Sequence, residues 1–232
     1  MFRIILTRSE EDINRDRSIF EREGFEVISL PLVKTVDLDF ELPKEDFDFV
    51  IFQSAKAVKY FFDKNRLKGS EKIIAVGETT GKALESYGYN TYMMPENYYA
   101  EEVKHLIKGE KVKVLIPRSR EGRENLIMDL KEMGFYVYAV NVYTTQPVLY
   151  RRDEFLRVIS KGNVIVFASP SAVKSFFANL PKDEGIRVLK EKIAVCIGKT
   201  TNEELISLSG LCGLLPEKPS MKSVVKLIKS LA

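Results

Sequence analysis

Residues 164–180 read VIVFASPSAVKSFFANL, and residues 49–62 read FVIFQSAKAVKYFF. Each stretch opens with four apolar residues, passes through a short polar turn, and continues with apolar residues at helical spacing. That pattern predicts a buried strand running directly into a helix. A hydroxyl stands at each turn, Ser54 in one stretch and Ser171 in the other, where it can accept from the first N–H groups of the helix.

The flanking sequence repeats in the same order. RIILTRS at 3–9 has a counterpart in KVLIPRS at 113–119, and EREGFEV at 21–27 in KEMGFYV at 131–137. KIIAVGETTGKALESYG at 72–88 is answered by KIAVCIGKTTNEELISLSG at 192–210, and MPE at 94–96 by LPE at 215–217. Ordered blocks of this kind mark an internal duplication. Strands alternate with helices and read as continuous Val/Ile/Leu runs, the signature of a parallel sheet covered on both faces. The fold class is therefore α/β: two doubly wound, parallel five-stranded sheet domains of about 110 residues each.

Taken in order, Ile4–Thr7 is a predicted strand and Glu10–Glu23 a charged helix ended by Gly24, where positive φ is favoured. Glu26–Val33 is a second strand, after which VKTVDLDFELPKEDFD stays extended to residue 48. The other half does the same, Tyr136–Tyr143 continuing into TTQPVLYRRDEF before a helix near Phe155–Ser160. About fifteen extended residues exceed what one small sheet uses, so these segments are predicted to be linkers. Each half then has a strand (Ile73–Val76; Ile193–Ile197) and a helix (Thr79–Tyr87; Thr200–Leu208). A short strand (Thr91–Met93; Leu211–Leu214) and a final helix (Tyr98–Ile107; Ser220–Leu231) follow.

Composition narrows the partners. The 232 residues carry a net charge of +3 from 36 basic and 33 acidic side chains, interspersed rather than blocked, which argues against nucleic acid. The start MFRIILTRSEED does not read as a secretory signal, and no apolar run reaches the ~18 residues of a membrane span. A cytoplasmic protein is expected. Cys196 lies in the apolar run IAVCI and reads as a buried reduced thiol. With one histidine, His105, there is no histidine–cysteine cluster for zinc and no His-dependent triad, so no metal is expected. Loops of the G-x-x-x-x-G-K-[ST] and G-x-G-x-x-G types are absent, so no nucleotide cofactor is indicated.

In doubly wound sheets, ligands bind beyond the carboxyl ends of the strands. That rule selects Arg8, Ser54, Lys56, Thr79 and Thr80 in one half, and Arg118, Ser169, Ser171, Lys199, Thr200 and Thr201 in the other. Hydroxyls, a few cations and helix N-termini suit an anionic ligand. Each hydroxyl also has a plainer role as a helix cap.

The ordered set LTRS, FQSAKAV, AVGETTGKAL, PRSREGRENL, VYTT, VFASPSAV and IGKTTNEEL resembles the uroporphyrinogen-III synthase family over nearly the whole chain. The resemblance implies a cofactor-free lyase of tetrapyrrole biosynthesis. Such an enzyme cyclises the linear polycarboxylate hydroxymethylbilane with loss of water and inversion of ring D. It implies an exchange of the N-terminal unit, giving one domain from 1–35 plus 146–232 and the other from 36–145, joined by a two-segment extended linker. It also implies that Tyr143 assists departure of the substrate hydroxyl, and that the Ser and Thr turns face the substrate. The sequence departs from the family pattern at Ala168, Lys199 and Lys56. Two covered sheets leave no obvious apolar face, so a monomer is expected. The competing readings are a two-lobed α/β protein that binds a small anion, a glycosyltransferase-like enzyme, and a ligand sensor.

Overall fold

The computed structural model describes residues 2–95, 107 and 109–231. Two compact units divide the chain, Met1–Thr35 with Gln146–Ala232, and Val36–Thr145.

The first unit begins with β1 (Arg3–Leu6), α1 (Glu10–Glu21) and β2 (Glu26–Ser29). After the chain returns, it adds α5 (Arg152–Ile159), β8 (Val164–Phe167), α6 (Pro170–Asn179), α7 (Lys182–Lys190), β9 (Ile193–Cys196), α8 (Lys199–Ser209) and α9 (Met221–Lys229). Its sheet has the order β2-β1-β8-β9, with parallel pairing throughout. Alternation along the strands serves two cores. Ile4, Leu6, Val164 and Val166 face α1 and α9 through Ile13, Phe20, Val224 and Ile228. Ile5, Ile165 and Phe167 face the other way, onto Phe155, Phe176 and Leu205. Burial on both faces is why these strands carry no polar alternation. Each fully buried ring, such as Phe20 or Phe176, contributes roughly 2 kcal/mol.

The second unit contains β4 (Phe49–Phe52), α2 (Ala55–Phe62), β5 (Lys72–Ala75), α3 (Glu78–Ser86), β6 (Lys113–Ser119) and α4 (Asn125–Glu132). The chain enters and leaves it within β3 (Val33–Asp37) and β7 (Tyr136–Pro147). The sheet order is β3-β7-β6-β4-β5. One face packs Val50, Phe52 and Leu115 against Phe61 and Phe62 of α2. The opposite face packs Ile51, Val114 and Ile116 against Leu126 and Leu130 of α4.

The structure revises several expectations from sequence. The short strands predicted at Thr91–Met93 and Leu211–Leu214 reduce to single parallel bridges, Ile74 with Met93 and Val195 with Leu214. The fifth named strand of the second sheet is instead β3, drawn from a predicted linker, and the first sheet has four. Only Val33–Asp37 of the long extended stretch is strand; the rest, up to β4, is irregular. Helix α7 was not anticipated: Lys182–Lys190 lies outside the repeated blocks, and its nine residues bury Gly185 and Leu189. Gly24 adopts φ +83°, as the end of α1 requires. The predicted helix at Tyr98–Ile107 lies, apart from Ile107, outside the described residues, as does His105.

Candidate functional site

The candidate residues stand where strands of each sheet turn into helices, and each unit has its own set. In the second unit the corner is built around Tyr143. Strands β6 and β7 pair in register from Lys113 with Tyr136 to Arg118 with Asn141, and then Ser119 pairs with Tyr143. Val142 is the extra residue, a bulge in β7. In a regular strand Val142 and Tyr143 would point to opposite faces. Here Val140, Val142 and Tyr143 all join the same buried cluster, so the bulge turns the tyrosine toward α2.

Tyr143 is 9% exposed, and its hydroxyl lies 3.4 Å from Ser54 Oγ. Its ring stacks on Tyr60, with centroids 5.2 Å apart and planes at 23°. Burial pushes the phenol above its ordinary value, with the Glu121 carboxylate and Tyr60 acting in the same direction; hydrogen bonds from Ser54 and Ser119 oppose them. A protonated, buried phenol beside the end of β6 can donate one hydrogen bond to a ligand oxygen.

Ser54 also caps α2, accepting from Ala57 N–H at 3.1 Å. Lys56 follows in the first turn of that helix. At the end of β5 the chain turns through Gly77 at φ +96°, a backbone conformation that favours glycine. Gly77, Thr79 and Thr80 border a pocket of about 390 Å³ with Gln53, Val76 and Glu78. Thr79 is exposed there, whereas Thr80 is 3% exposed and its hydroxyl donates to Val76 O at 2.9 Å. The Thr80 hydroxyl therefore closes its own helix start.

Arg118, predicted as an anion ligand, is 4% exposed and turns back into the loop that follows β6. Its Nη1 donates to Glu124 at 2.6 Å, Nε to Ser119 O at 3.1 Å, and Nη2 to Gly122 O. All of these partners belong to the loop itself, so Arg118 holds its shape.

In the first unit the helix-capping role expected of Ser171 belongs to Ser169, which accepts from Ala172 N–H at 3.2 Å. Pro170 takes the first helical position, which places Ser171 one residue inside α6. Arg8 is engaged by two buried carboxylates, Asp16 and, at 3.6 Å, Asp12. Lys199 and Thr200 at the start of α8 are exposed, while Thr201 is 2% exposed. Gly198 is extended at φ −166°, so the two G-x-T-T turns share residues and not backbone conformation.

Sequence reasoning missed Glu121. It sits in the quoted stretch PRSREGRENL without a spacing that marks it, yet its carboxylate accepts from Ser119 Oγ at 2.6 Å, from Thr144 Oγ1 and from Thr145 N–H at 3.1 Å. Burial alone would raise its proton affinity, but these three donors hold it below the usual glutamate range. Among the described residues no group of His, Cys, Asp or Glu could hold a metal ion, and no helix is long and apolar enough to cross a membrane.

A sequence model of uroporphyrinogen-III synthase HemD matches residues 15–226. The chain belongs to the uroporphyrinogen-III synthase family. Members of this family are enzymes of tetrapyrrole biosynthesis. A Methanocaldococcus jannaschii protein provisionally named uroporphyrinogen-III synthase is 28% identical over 99% of this chain and 98% of its own length. The chloroplastic uroporphyrinogen-III synthase of Oryza sativa is 26% identical over 85% of this chain and 70% of its own. Among solved structures, uroporphyrinogen-III synthetase from Helicobacter pylori superposes over the full length of both chains with a TM-score of 0.71 at 22% identity, which shows a shared α/β fold.

Proposed function

We propose that the protein is a uroporphyrinogen-III synthase that closes hydroxymethylbilane into uroporphyrinogen III, and that Tyr143 is its proton donor. The observation that carries this reading beyond family membership is the bulge at Val142. It brings a buried, protonated phenol to a strand-to-helix corner beside Ser54.

The chemistry asks little of a catalyst's acid. Lone-pair density on a pyrrole nitrogen expels the hydroxyl of the terminal hydroxymethyl group, which leaves as water once it receives a proton. A phenol with a pKa above about 10 is a weak acid, but a hydrogen bond from it stabilises charge developing on the departing oxygen. The larger task is to bring the two ends of a flexible chain together in the correct order, an entropic and orientational problem. Substrate carboxylates are proposed to be received by corner groups: Lys56 and Thr79 in one unit, and Lys199, Thr200 and Ser171 in the other. Arg8, Arg118, Thr80 and Thr201 are predicted to act instead through the shape of their corners. The two sheets are proposed to derive from a duplication, because β2-β1-β8-β9 and β7-β6-β4-β5 follow one order.

The test is incubation with freshly prepared hydroxymethylbilane, followed by oxidation and separation of isomers. Accumulation of the type III product above the spontaneous type I background is expected. Type I product alone would overturn the assignment.

A further inference from the structure

We infer that Glu121 is a positioning residue, clasping β7 just past its bulge so that the Tyr143 side chain is held toward Ser54 and α2. The inference rests on the proposed role of Tyr143 and extends it to a side chain that does not reach the hydroxyl itself.

The geometry converges on one carboxylate. Thr144 and Thr145 follow Tyr143 directly, and both donate to Glu121, one through its side chain and the other through its backbone. Ser119, the residue that pairs with Tyr143 across the register shift, donates to the same carboxylate, and the Glu121 N–H returns a bond to Ser119 Oγ at 3.3 Å. The Tyr143 carbonyl accepts from Arg120 N–H at 2.9 Å. The loop between β6 and α4 is thus fastened on one side to β7 by Glu121. Arg118 fastens it to itself through Gly122, Ser119 and Glu124.

A bulge is a local choice between two registers, and a shift by one residue reverses the face that a side chain meets. Without the carboxylate, three donors beside the bulge lose their acceptor, and the bulged register keeps the Arg120 N–H bond to the Tyr143 carbonyl and the Leu38 N–H bond to the Val142 carbonyl but no side-chain clasp. Tyr143 then spends part of its time turned away from Ser54. Hydrogen bonds to a charged group are the stronger kind, so the charge on Glu121, and not merely its shape, maintains the clasp.

The experiment compares wild type, Glu121→Gln, Glu121→Asp and Thr144→Val, the last removing one donor from the clasp while conserving volume. Tyrosine ring-carbon NMR on uniformly labelled protein, with the Tyr143 signal assigned by its loss in Tyr143→Phe, gives a readout independent of turnover. In Glu121→Gln the Tyr143 resonance is expected to shift and to titrate nearer the ordinary tyrosine value, as the phenol loses enclosure and a neighbouring negative charge. In the isomer assay kcat for type III product is expected to fall about 10- to 100-fold with little change in KM, the cost of a misplacement on the order of 1 Å. Thr144→Val is expected to produce the same change in smaller measure, and Glu121→Asp to retain most of the wild-type behaviour. An unmoved Tyr143 resonance in both Glu121→Gln and Thr144→Val overturns the clasp. If wild type forms no type III product, the proposed function fails while the NMR comparison still decides the inference.

Discussion

Ser54 and Ser169 form a matched pair on which the role of Tyr143 can be tested. Both are N-cap residues in extended conformation, at φ −158° and −162°, and each accepts from the N–H three residues on, at 3.1 and 3.2 Å. Only Ser54 has a tyrosine hydroxyl 3.4 Å away. Replacing either by alanine removes a cap worth about 1 kcal/mol, so Ser54→Ala and Ser169→Ala should lose similar stability in urea melts. Ser54→Ala also deletes a partner of the Tyr143 hydroxyl, and a hydrogen bond of about 1 kcal/mol corresponds to a roughly five-fold loss in kcat/KM. The isomer assay on the two variants, with urea melts run on the same preparations, separates the effects, because the capping cost is common to both. Equal losses of type III activity in the two variants would refute the claim that Ser54 acts through Tyr143, leaving it a cap and nothing more.

Tyr143→Phe should lower kcat by about 100-fold, the smaller end of what a positioned proton donor supplies, while its far-ultraviolet spectrum stays that of wild type; unchanged turnover removes Tyr143 from the reaction. Arg118→Ala should cost about 2 kcal/mol in a urea melt, since the loop after β6 loses its charged donor; full stability with weakened substrate binding would show that Arg118 meets the substrate instead. Burial pushes the Cys196 thiol up to about 12, so the folded chain keeps a proton that the unfolded chain sheds above about pH 9. Stability should therefore decline between pH 9 and about 12, and the decline between pH 8.5 and 10.5 should be shallower in Cys196→Ala; parallel slopes would refute the attribution. A thiol reagent should modify exposed Cys212 in the native protein and reach Cys196 only in urea, as a mass spectrum taken before and after denaturation would report.

The central strands β1, β4 and β8 were legible in the sequence because a strand buried on both faces needs an unbroken apolar run, and IIL, FVIF and VIVF are such runs; the edge strand β3, only partly buried, was not. Nor was helix α7, because Lys182–Lys190 lies outside the repeated blocks from which the other elements were read, although its apolar residues do fall on one side. The Ser171 assignment followed the hydroxyl and overlooked Pro170, whose fixed φ and missing donor mark the first helical position and give the cap to Ser169. Arg8 and Arg118 illustrate a second limit. A cation at a strand end looks the same in sequence whether it faces a ligand or, as here, Asp16 or Glu124. The bulge at Val142 had no local sign at all, since a bulge is a relation between β7 and β6 and is written in neither strand alone. Glu121, which matters only through that relation, was hidden for the same reason.

The position of β1 in its sheet has a bearing on how the protein is made. β1 lies between β2 and β8, pairing Ile4 with Val27 on one side and with Val164 on the other. As the nascent chain emerges, the whole of Val36–Thr145 is translated before Val164 appears. A ribosome paused ahead of β8 would therefore display Ile4–Leu6 with one flank unsatisfied, an invitation to chaperones or to unwanted pairing with other chains. Translation order thus makes the first strand synthesised among the last to be fully enclosed.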